Sequence, residues 1–256
     1  MNTAFRFPLQ SLGTIEWALP PTELPLSADD VHIWRAWETP SDEQLQALAA
    51  TLSEDEQARA AKFRFSRDRE QFILARGTLR LLLAQYWDVA PAHLRFAYEP
   101  NGKPYLTTTN GARTPLQFNV SHTSGLVVLA FAWQCEVGID VERVRPEFAD
   151  DLTAQQFLTT AELNAWRALS PALQPQAFFH RWTCKEAYLK AIGAGLSVAP
   201  TTLSVTLNDD ATPREIELSA APAAPWSFSH FAPQPDYLGA LAVSRPPSLC
   251  RFWMVP

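Results

Sequence analysis

The order of predicted elements makes this chain an α+β protein in which helices are followed by antiparallel strands, twice over. Three observations predict it. Two capped helical stretches and one long one precede a group of short strands in the first half. A capped helix and an aromatic-rich helix precede four more β-like runs in the second. Proline-rich turns separate those runs at short intervals, as antiparallel strands require.

Residues 1–30 are rich in proline and lack periodicity, which predicts an extended arm leading into a strand at Val31–Trp37. Ser41 with Gln44 and Ser53 with Glu56 have the spacing of capping boxes and start helices near 42–51 and 54–62. A longer helix runs from about Arg67 to Tyr86, with Phe72, Leu79 and Leu83 facing inward. The cluster Asn101-Gly102-Lys103-Pro104 is a turn. Leu116–His122 and the wholly apolar Leu126–Ala132 are strands, and a turn at 134–136 predicts that the latter pairs as a hairpin with Val137–Glu142. Alternation puts Val137, Ile139 and Val141 on one face of that strand and Gly138, Asp140 and Glu142 on the other.

Thr159 with Glu162 caps a further helix, and an aromatic-rich helix extends from about Gln176 to Ile192, with Gly193 as its C′ residue. Trp182, Glu186 and Lys190 follow at i, i+4, i+8 and share one helix face. The tail adds strands at Leu203–Leu207, Glu215–Leu218, Trp226–Phe231 and Leu238–Val243. No internal repeat is strong enough in the sequence to establish two related halves.

Bulk properties narrow the function. The 256 residues suffice for a large core, and no apolar stretch approaches the length of a bilayer span. No basic segment followed by an apolar run opens the chain, so no signal peptide is expected. Three widely spaced cysteines, Cys135, Cys184 and Cys250, argue for a reducing compartment and against a disulfide framework, which places the protein in the cytoplasm. A net charge of −6 argues against general nucleic-acid binding. Against that background, residues 59–80 carry seven basic side chains and only two acidic ones. A solvated helix face explains most of them, and a few facing an anionic ligand or acidic partner is the functional alternative.

Two acidic stretches bear the chemistry. Asp140 and Glu142 are neighbours on one side of a strand, and Glu186 lies between Lys185 and Lys190 on a helix. Three carboxylates suit Mg²⁺ and the lysines suit phosphate, which points to phosphoryl chemistry on a diphosphate. Taken singly, each has an ordinary reading: an exposed strand edge, a helical Glu186–Lys190 pair, a structural His122, a turn at 101–104.

Together the segments are specific. Asn101-Gly102-Lys103-Pro104, Phe118-Asn119-Val120-Ser121-His122, Gly138-Ile139-Asp140-Val141-Glu142 and Trp182-x-x-Lys185-Glu186-Ala187-x-x-Lys190-Ala191 occur in that order. They resemble the successive motifs of the long, Sfp-type 4′-phosphopantetheinyl transferases. The segment with Arg59, Phe63, Phe65, Asp68, Arg69, Arg76 and Arg80 resembles that family's N-terminal helical region, and the likeness spans roughly residues 53 to 196.

The resemblance implies two similar α+β halves with antiparallel sheets, related by a pseudo-two-fold axis, with the active site in the cleft between them. Residues 1–134 would form the half contributing to coenzyme A binding, and 135–256 the half with the metal site and catalytic helix. The implied reaction moves the 4′-phosphopantetheine arm of coenzyme A onto a serine of an acyl or peptidyl carrier protein, releasing 3′,5′-ADP with Mg²⁺ required. Asp140, Glu142 and Glu186 would hold the metal, with Glu142 either a direct ligand or acting through a water. Glu186 would serve as base, directly or through a metal-bound water, and Lys190 would stabilise the phosphate charge. Lys185 would hold a diphosphate oxygen, and Arg59, Lys103, Ser121 and His122 would contact coenzyme A. Pro104 would sit against the adenine. Arg69 and Arg76 stay open between packing and carrier contact. The protein would act as a monomer, meeting its acidic carrier transiently and binding neither nucleic acid nor membrane. A non-catalytic binder of coenzyme A or carrier domains with the same fold is the alternative. An unrelated Mg²⁺-dependent phosphohydrolase ranks below both, because no Walker-type loop is present.

Overall fold

The fold is read from a computed structural model that describes residues 4–37, 40–123, 125–222 and 224–255. In chain order the elements of the first half are β1 (Phe5–Thr14), β2 (Asp30–Trp37), α1 (Asp42–Ala50), α2 (Glu54–Ala60), α3 (Ser66–Trp87), β3 (Arg95–Tyr98), β4 (Pro104–Thr107), β5 (Leu116–Thr123) and β6 (Leu126–Trp133). The second half continues with β7 (Val137–Arg143), α4 (Asp151–Phe157), α5 (Thr160–Arg167), α6 (Gln174–Ala191), β8 (Leu203–Leu207), β9 (Pro213–Leu218), β10 (Ser227–Ala232), β11 (Tyr237–Val243) and β12 (Leu249–Met254). Among the described residues no helix is long and apolar enough to cross a membrane.

The strands form sheets ordered β12-β2-β6-β5 and β7-β11-β10-β1-β9-β8, with β3-β4 as a separate hairpin. The antiparallel trio β2-β6-β5 is repeated as β7-β11-β10, and each trio is preceded or interrupted by its own long helix, α3 or α6. This is the α+β architecture of two similar halves. The terminal strands cross over: β1 lies parallel to β10 in the second sheet, and β12 lies parallel to β2 in the first. A boundary between residues 134 and 135 falls in the β6–β7 turn, and both terminal strands bridge it in space.

The expected hairpin of β6 with β7 does not form. Both edges of β6 are taken, by β2 and by β5, so the chain turns at Gln134 (φ 51°) and starts the second sheet, where β7 pairs with β11. The apolar run in β6 has another cause, which is burial on both faces. Val127, Leu129 and Phe131 face a core with α1 and α3. Leu126, Val128, Ala130 and Ala132 face the second sheet, meeting Val137, Ile139, Val141, Leu241 and Val243. The predicted alternation of β7 therefore holds, with its odd-numbered residues in the core between the sheets.

The other face of β7 receives α6. Gly138 lies directly under the helix, and an added Cβ would overlap the Ala187 carbonyl oxygen and the Ala191 amide nitrogen. Ala187 and Ala191 also share a core with Ala240 and Ala242 of β11, so small residues on both sides let the helix approach the sheet.

Each half is braced by a buried carboxylate at the same place. Glu56, third residue of α2 and part of a capping box with Ser53, accepts from Arg76 Nε and Arg80 Nε at 2.5 Å each. Burial opposes its charge, but the hydrogen bonds from Arg80 and Arg76 hold its carboxyl below the usual range. Glu162, third residue of α5 and boxed with Thr159, accepts from Lys185 Nζ at 2.6 Å and from the Val205 amide at 2.6 Å, with Arg181 Nε 3.9 Å away. In each case the cations sit four residues apart on the long helix.

Two consequences are measurable. Gly138→Ala must displace backbone rather than a side-chain tip, so denaturant unfolding should show a loss of at least about 1–3 kcal/mol, the usual range for overpacking. The second concerns acid. Burial, partly offset by the Asp30 charge, holds His32 at about 4, and burial with the neighbouring His230 holds His180 at about 3. The unfolded chain takes up these protons first, so the stabilisation is complete above about pH 6.5 and is lost as pH falls toward 4. Urea midpoints at pH 7.5 and 5 should differ accordingly, and less so in the His32→Leu, His180→Leu double variant.

Candidate active site

β7 pairs with β11 along one edge, and along the other it meets side chains of β5. The Ile139 amide donates to Asn119 Oδ1 (3.0 Å), Val141 to Ser121 Oγ (3.3 Å) and Arg143 to Thr123 Oγ1 (3.3 Å). Buried amides need partners, and here alternate polar residues of one half supply them to the other. The same hydroxyls reach the carboxylates: Ser121 Oγ donates to Asp140 Oδ1 at 2.8 Å, and Thr123 Oγ1 to Glu142 Oε2 at 2.9 Å.

Helix α6 brings the rest. Between residues 181 and 190 its side chains are buried except Trp182, Glu186 and Lys190, the stripe that the i, i+4, i+8 spacing predicts. Lys190 Nζ donates to Asp140 Oδ1 (2.6 Å) and to Ser121 Oγ (2.9 Å). Asp140 is buried, and its second oxygen, Oδ2, has no hydrogen-bond partner among the described residues. Burial, reinforced by the Asp140 charge, pushes Glu142 up to about 7. Burial and Asp140 also raise Glu186, against the pull of Lys190.

Two adjoining cavities, of 540 and 340 Å³, share Pro104, Asn119 and Val120 and so form one trough. Its larger end lies between α3 and β5 and is lined by Arg59, Phe63, Gln71, Phe72 and His122. Gln71 holds His122, with its amide nitrogen 2.9 Å from Nδ1, and the Arg59 guanidinium lies over the Phe72 ring. Its smaller end lies between the 101–104 turn and the end of α6, with Glu186, Leu189, Lys190 and Gly193 among its walls.

Two expectations need correction. Lys185 does not reach a diphosphate: it is 1% exposed and donates to Glu162 and to the Phe157 carbonyl oxygen, because one residue along a helix turns the side chain about 100° away from Glu186. Ser121 is buried between β5 and β7, where Asp140, Lys190 and the Val141 amide engage its hydroxyl, rather than lining the trough. Lys103 lines the smaller end of the trough, and its ammonium donates to Glu136 (2.6 Å) and to the Ala191 carbonyl oxygen (2.5 Å). With Asn101, which donates to the Gly193 carbonyl oxygen (3.1 Å), it clamps the carbonyl end of α6, where a cation also meets the favourable end of the helix dipole. Arg76 is bound to Glu56 and stacked on Phe96, and it also lines the larger end of the trough. Asn119, Thr123, Asn101 and Gln71 were not singled out, although 119, 121 and 123 already form a period-two polar set opposite 138, 140 and 142.

Among the described residues no three Asp, Glu, His or Cys side chains gather closely enough to hold a metal between them alone. The donor set nevertheless fits a divalent cation that shares its coordination with phosphate. Asp140 has a buried, unpartnered oxygen, and its charge raises both Glu142 and Glu186. Mg²⁺ commonly takes one or two carboxylates, with phosphate oxygens and water completing its shell.

Residues 35–134 match the model of the 4′-phosphopantetheinyl transferase N-terminal region, and residues 136–242 match that of the 4′-phosphopantetheinyl transferase superfamily. The 4′-phosphopantetheinyl transferase HetI of Nostoc sp. is 37% identical over 238 residues, covering 93% of this chain and 97% of its own. The chain belongs to the 4′-phosphopantetheinyl transferase family. The 4′-phosphopantetheinyl transferase Sfp of Bacillus subtilis is 26% identical, over 80% of this chain and 88% of its own. A solved holo-(acyl-carrier-protein) synthase from Bacillus anthracis is 25% identical, over 42% of this chain and 93% of its own, with a TM-score of 0.36. This protein is thus an enzyme, a phosphopantetheinyl transferase, and the Lys190–Asp140 pair lies at the junction of its two matched regions in space.

If Lys103 positions α6, Lys103→Met should lower kcat about tenfold or more, leave the KM for the pantetheine donor within about twofold, and lower the melting temperature. A raised KM at unchanged kcat would assign it to ligand binding instead.

Proposed function

We propose that this transferase moves the 4′-phosphopantetheine group of coenzyme A to a serine of an apo acyl or peptidyl carrier protein and releases 3′,5′-ADP. One observation carries the reading: a single trough joins Arg59 and His122 at one end to Glu186 and Lys190 at the other. It supports a reading in which one end takes a terminal phosphate and the other supplies a base and an ammonium.

In this reading Arg59 and His122 bind the 3′-phosphate or its neighbours, Arg59 as a forked donor. Pro104, where the two cavities meet, lies against the adenine. The diphosphate reaches the Glu186–Lys190 end. Mg²⁺, held by Asp140 and Glu186 with Glu142 directly or through a water, would supply charge neutralisation on the diphosphate when bound. The serine hydroxyl attacks the β-phosphorus, the bond to the leaving 3′,5′-ADP phosphate breaks, and the hydroxyl proton passes to Glu186. Burial and the Asp140 charge raise the affinity of Glu186 for a proton, against the pull of Lys190, which is the direction a base requires. Lys190, fixed by Asp140 and Ser121, meets the charge that develops on the phosphoryl oxygens.

The carrier meets the enzyme transiently. Lys62, Arg64, Arg67 and Arg69 are exposed beside the trough and would steer an acidic partner to it, despite the net charge of −6. The enzyme acts as a monomer in the cytoplasm.

Purified protein with Mg²⁺ and coenzyme A should add a phosphopantetheine mass to an apo carrier. Asp140→Ala and Glu186→Ala should each lower the rate about 100-fold or more while the circular dichroism spectrum is kept. Wild-type rates in both variants would sink the assignment. Tight calorimetric binding of coenzyme A by the wild type, with no transfer to a panel of carriers, would instead favour a binder that keeps the fold.

A further inference from the structure

Asn119, Ser121 and Thr123 share the task of satisfying β7, but they differ in what else they touch. Asn119 accepts the Ile139 amide and stands beside Gly138, where no carboxylate exists. Ser121 and Thr123 each accept an amide and also donate to the carboxylate one position earlier, Asp140 or Glu142. A backbone N–H can only donate, so each hydroxyl must turn a lone pair toward it. The hydroxyl has one proton, and that proton is then left for the carboxylate. Backbone geometry in this way fixes which oxygen of each carboxylate is engaged. For Asp140 that oxygen is Oδ1, which leaves Oδ2 without a partner. For Glu142 it is Oε2, also 3.6 Å from Arg145 Nη2, so neither Thr123 nor Arg145 engages Oε1.

From this geometry we infer that Thr123 is a positioning residue. Its hydroxyl, oriented by the Arg143 amide, holds Glu142 so that Oε1 is presented to a divalent cation beside Asp140 Oδ2. The inference rests on the transfer reading above for the identity of the site. It adds that this half of the site is aligned from β5, across the junction between the halves, and not from β7 alone.

The test uses the full-length enzyme, with Mn²⁺ as the probe and coenzyme A present, and counts free Mn²⁺ by electron paramagnetic resonance. Thr123→Val keeps the shape and removes the donor, and Mn²⁺ should bind about 10–100-fold more weakly, as for other outer residues that orient metal ligands. Thr123→Ser keeps donor and acceptor and should restore binding to within about threefold of wild type. Should the valine variant fail to fold, Thr123→Ala removes the same donor from a smaller side chain and should show the same loss. A role confined to folding would lower the urea midpoint of these variants without changing Mn²⁺ affinity. Wild-type Mn²⁺ affinity in the folded valine or alanine variant would overturn the proposal, as would a serine variant as weak as they are. Transfer by the wild type separates the two claims. An enzyme that binds Mn²⁺ with the expected Thr123 dependence but transfers nothing contradicts the transferase mechanism and leaves the positioning role standing.

Discussion

The site depends on the way β7 is bound along its two edges. One edge is an ordinary antiparallel ladder with β11, and the other is filled by side chains from β5. An unpaired buried amide costs about 1–3 kcal/mol, so three of them tie the halves together strongly. A further strand would satisfy the same amides with backbone carbonyls. Using Asn119, Ser121 and Thr123 instead leaves polar side chains next to the carboxylates of β7. Gly138 completes the constraint from above, because only without a Cβ can α6 settle where Lys190 reaches Asp140.

The two halves share a frame and differ in charge. Glu56 with Arg76 and Arg80, and Glu162 with Arg181 and Lys185, are equivalent braces between a capped short helix and the long helix that follows. On the sheet side the halves part. In the first, His32 and Trp34 of β2 share the Tyr86 hydroxyl of α3, a buried neutral arrangement. In the second, β7 presents Gly138 and Asp140 to α6. The site therefore belongs to one half of a nearly symmetric molecule, and the other half supplies the β5 side chains and most of the trough's larger end.

Much of this was legible in the sequence. Period-two alternation placed Asp140 and Glu142 correctly, and helical phase placed Trp182, Glu186 and Lys190 on the one stripe of α6 between 181 and 190 that is not buried. The same phase, applied to Lys185, would have turned it away from the trough toward Glu162. The β6–β7 hairpin failed because sequence neighbours are not always sheet neighbours, and nothing local shows that β5 and β2 already occupy β6. Strand β1 is short of local signals for another reason: Phe5, Phe7 and Leu9 do alternate inward, but the run is brief and interrupted by Pro8, and its partner β10 lies more than two hundred residues away. The Lys103 clamp was hidden because the acceptor that ties it to α6 is a backbone carbonyl, which no side-chain motif records.

A lysine bound to the carboxylate of a proposed cation site looks at first like a competitor for it. The hydrogen-bond inventory says otherwise. An ammonium has three protons, and Lys190 uses two, both on the side facing β5 and β7: one on Asp140 Oδ1 and one on Ser121 Oγ. Its side chain is 30% exposed and lines the trough, so the third proton is available there to a phosphate oxygen without breaking the pair. Oδ2 of Asp140 is buried and carries no hydrogen bond among the described residues. One carboxylate can thus anchor the lysine through one oxygen and offer the other to a cation. In the proposed reaction a cation on Oδ2 would therefore leave the Lys190–Asp140 pair intact.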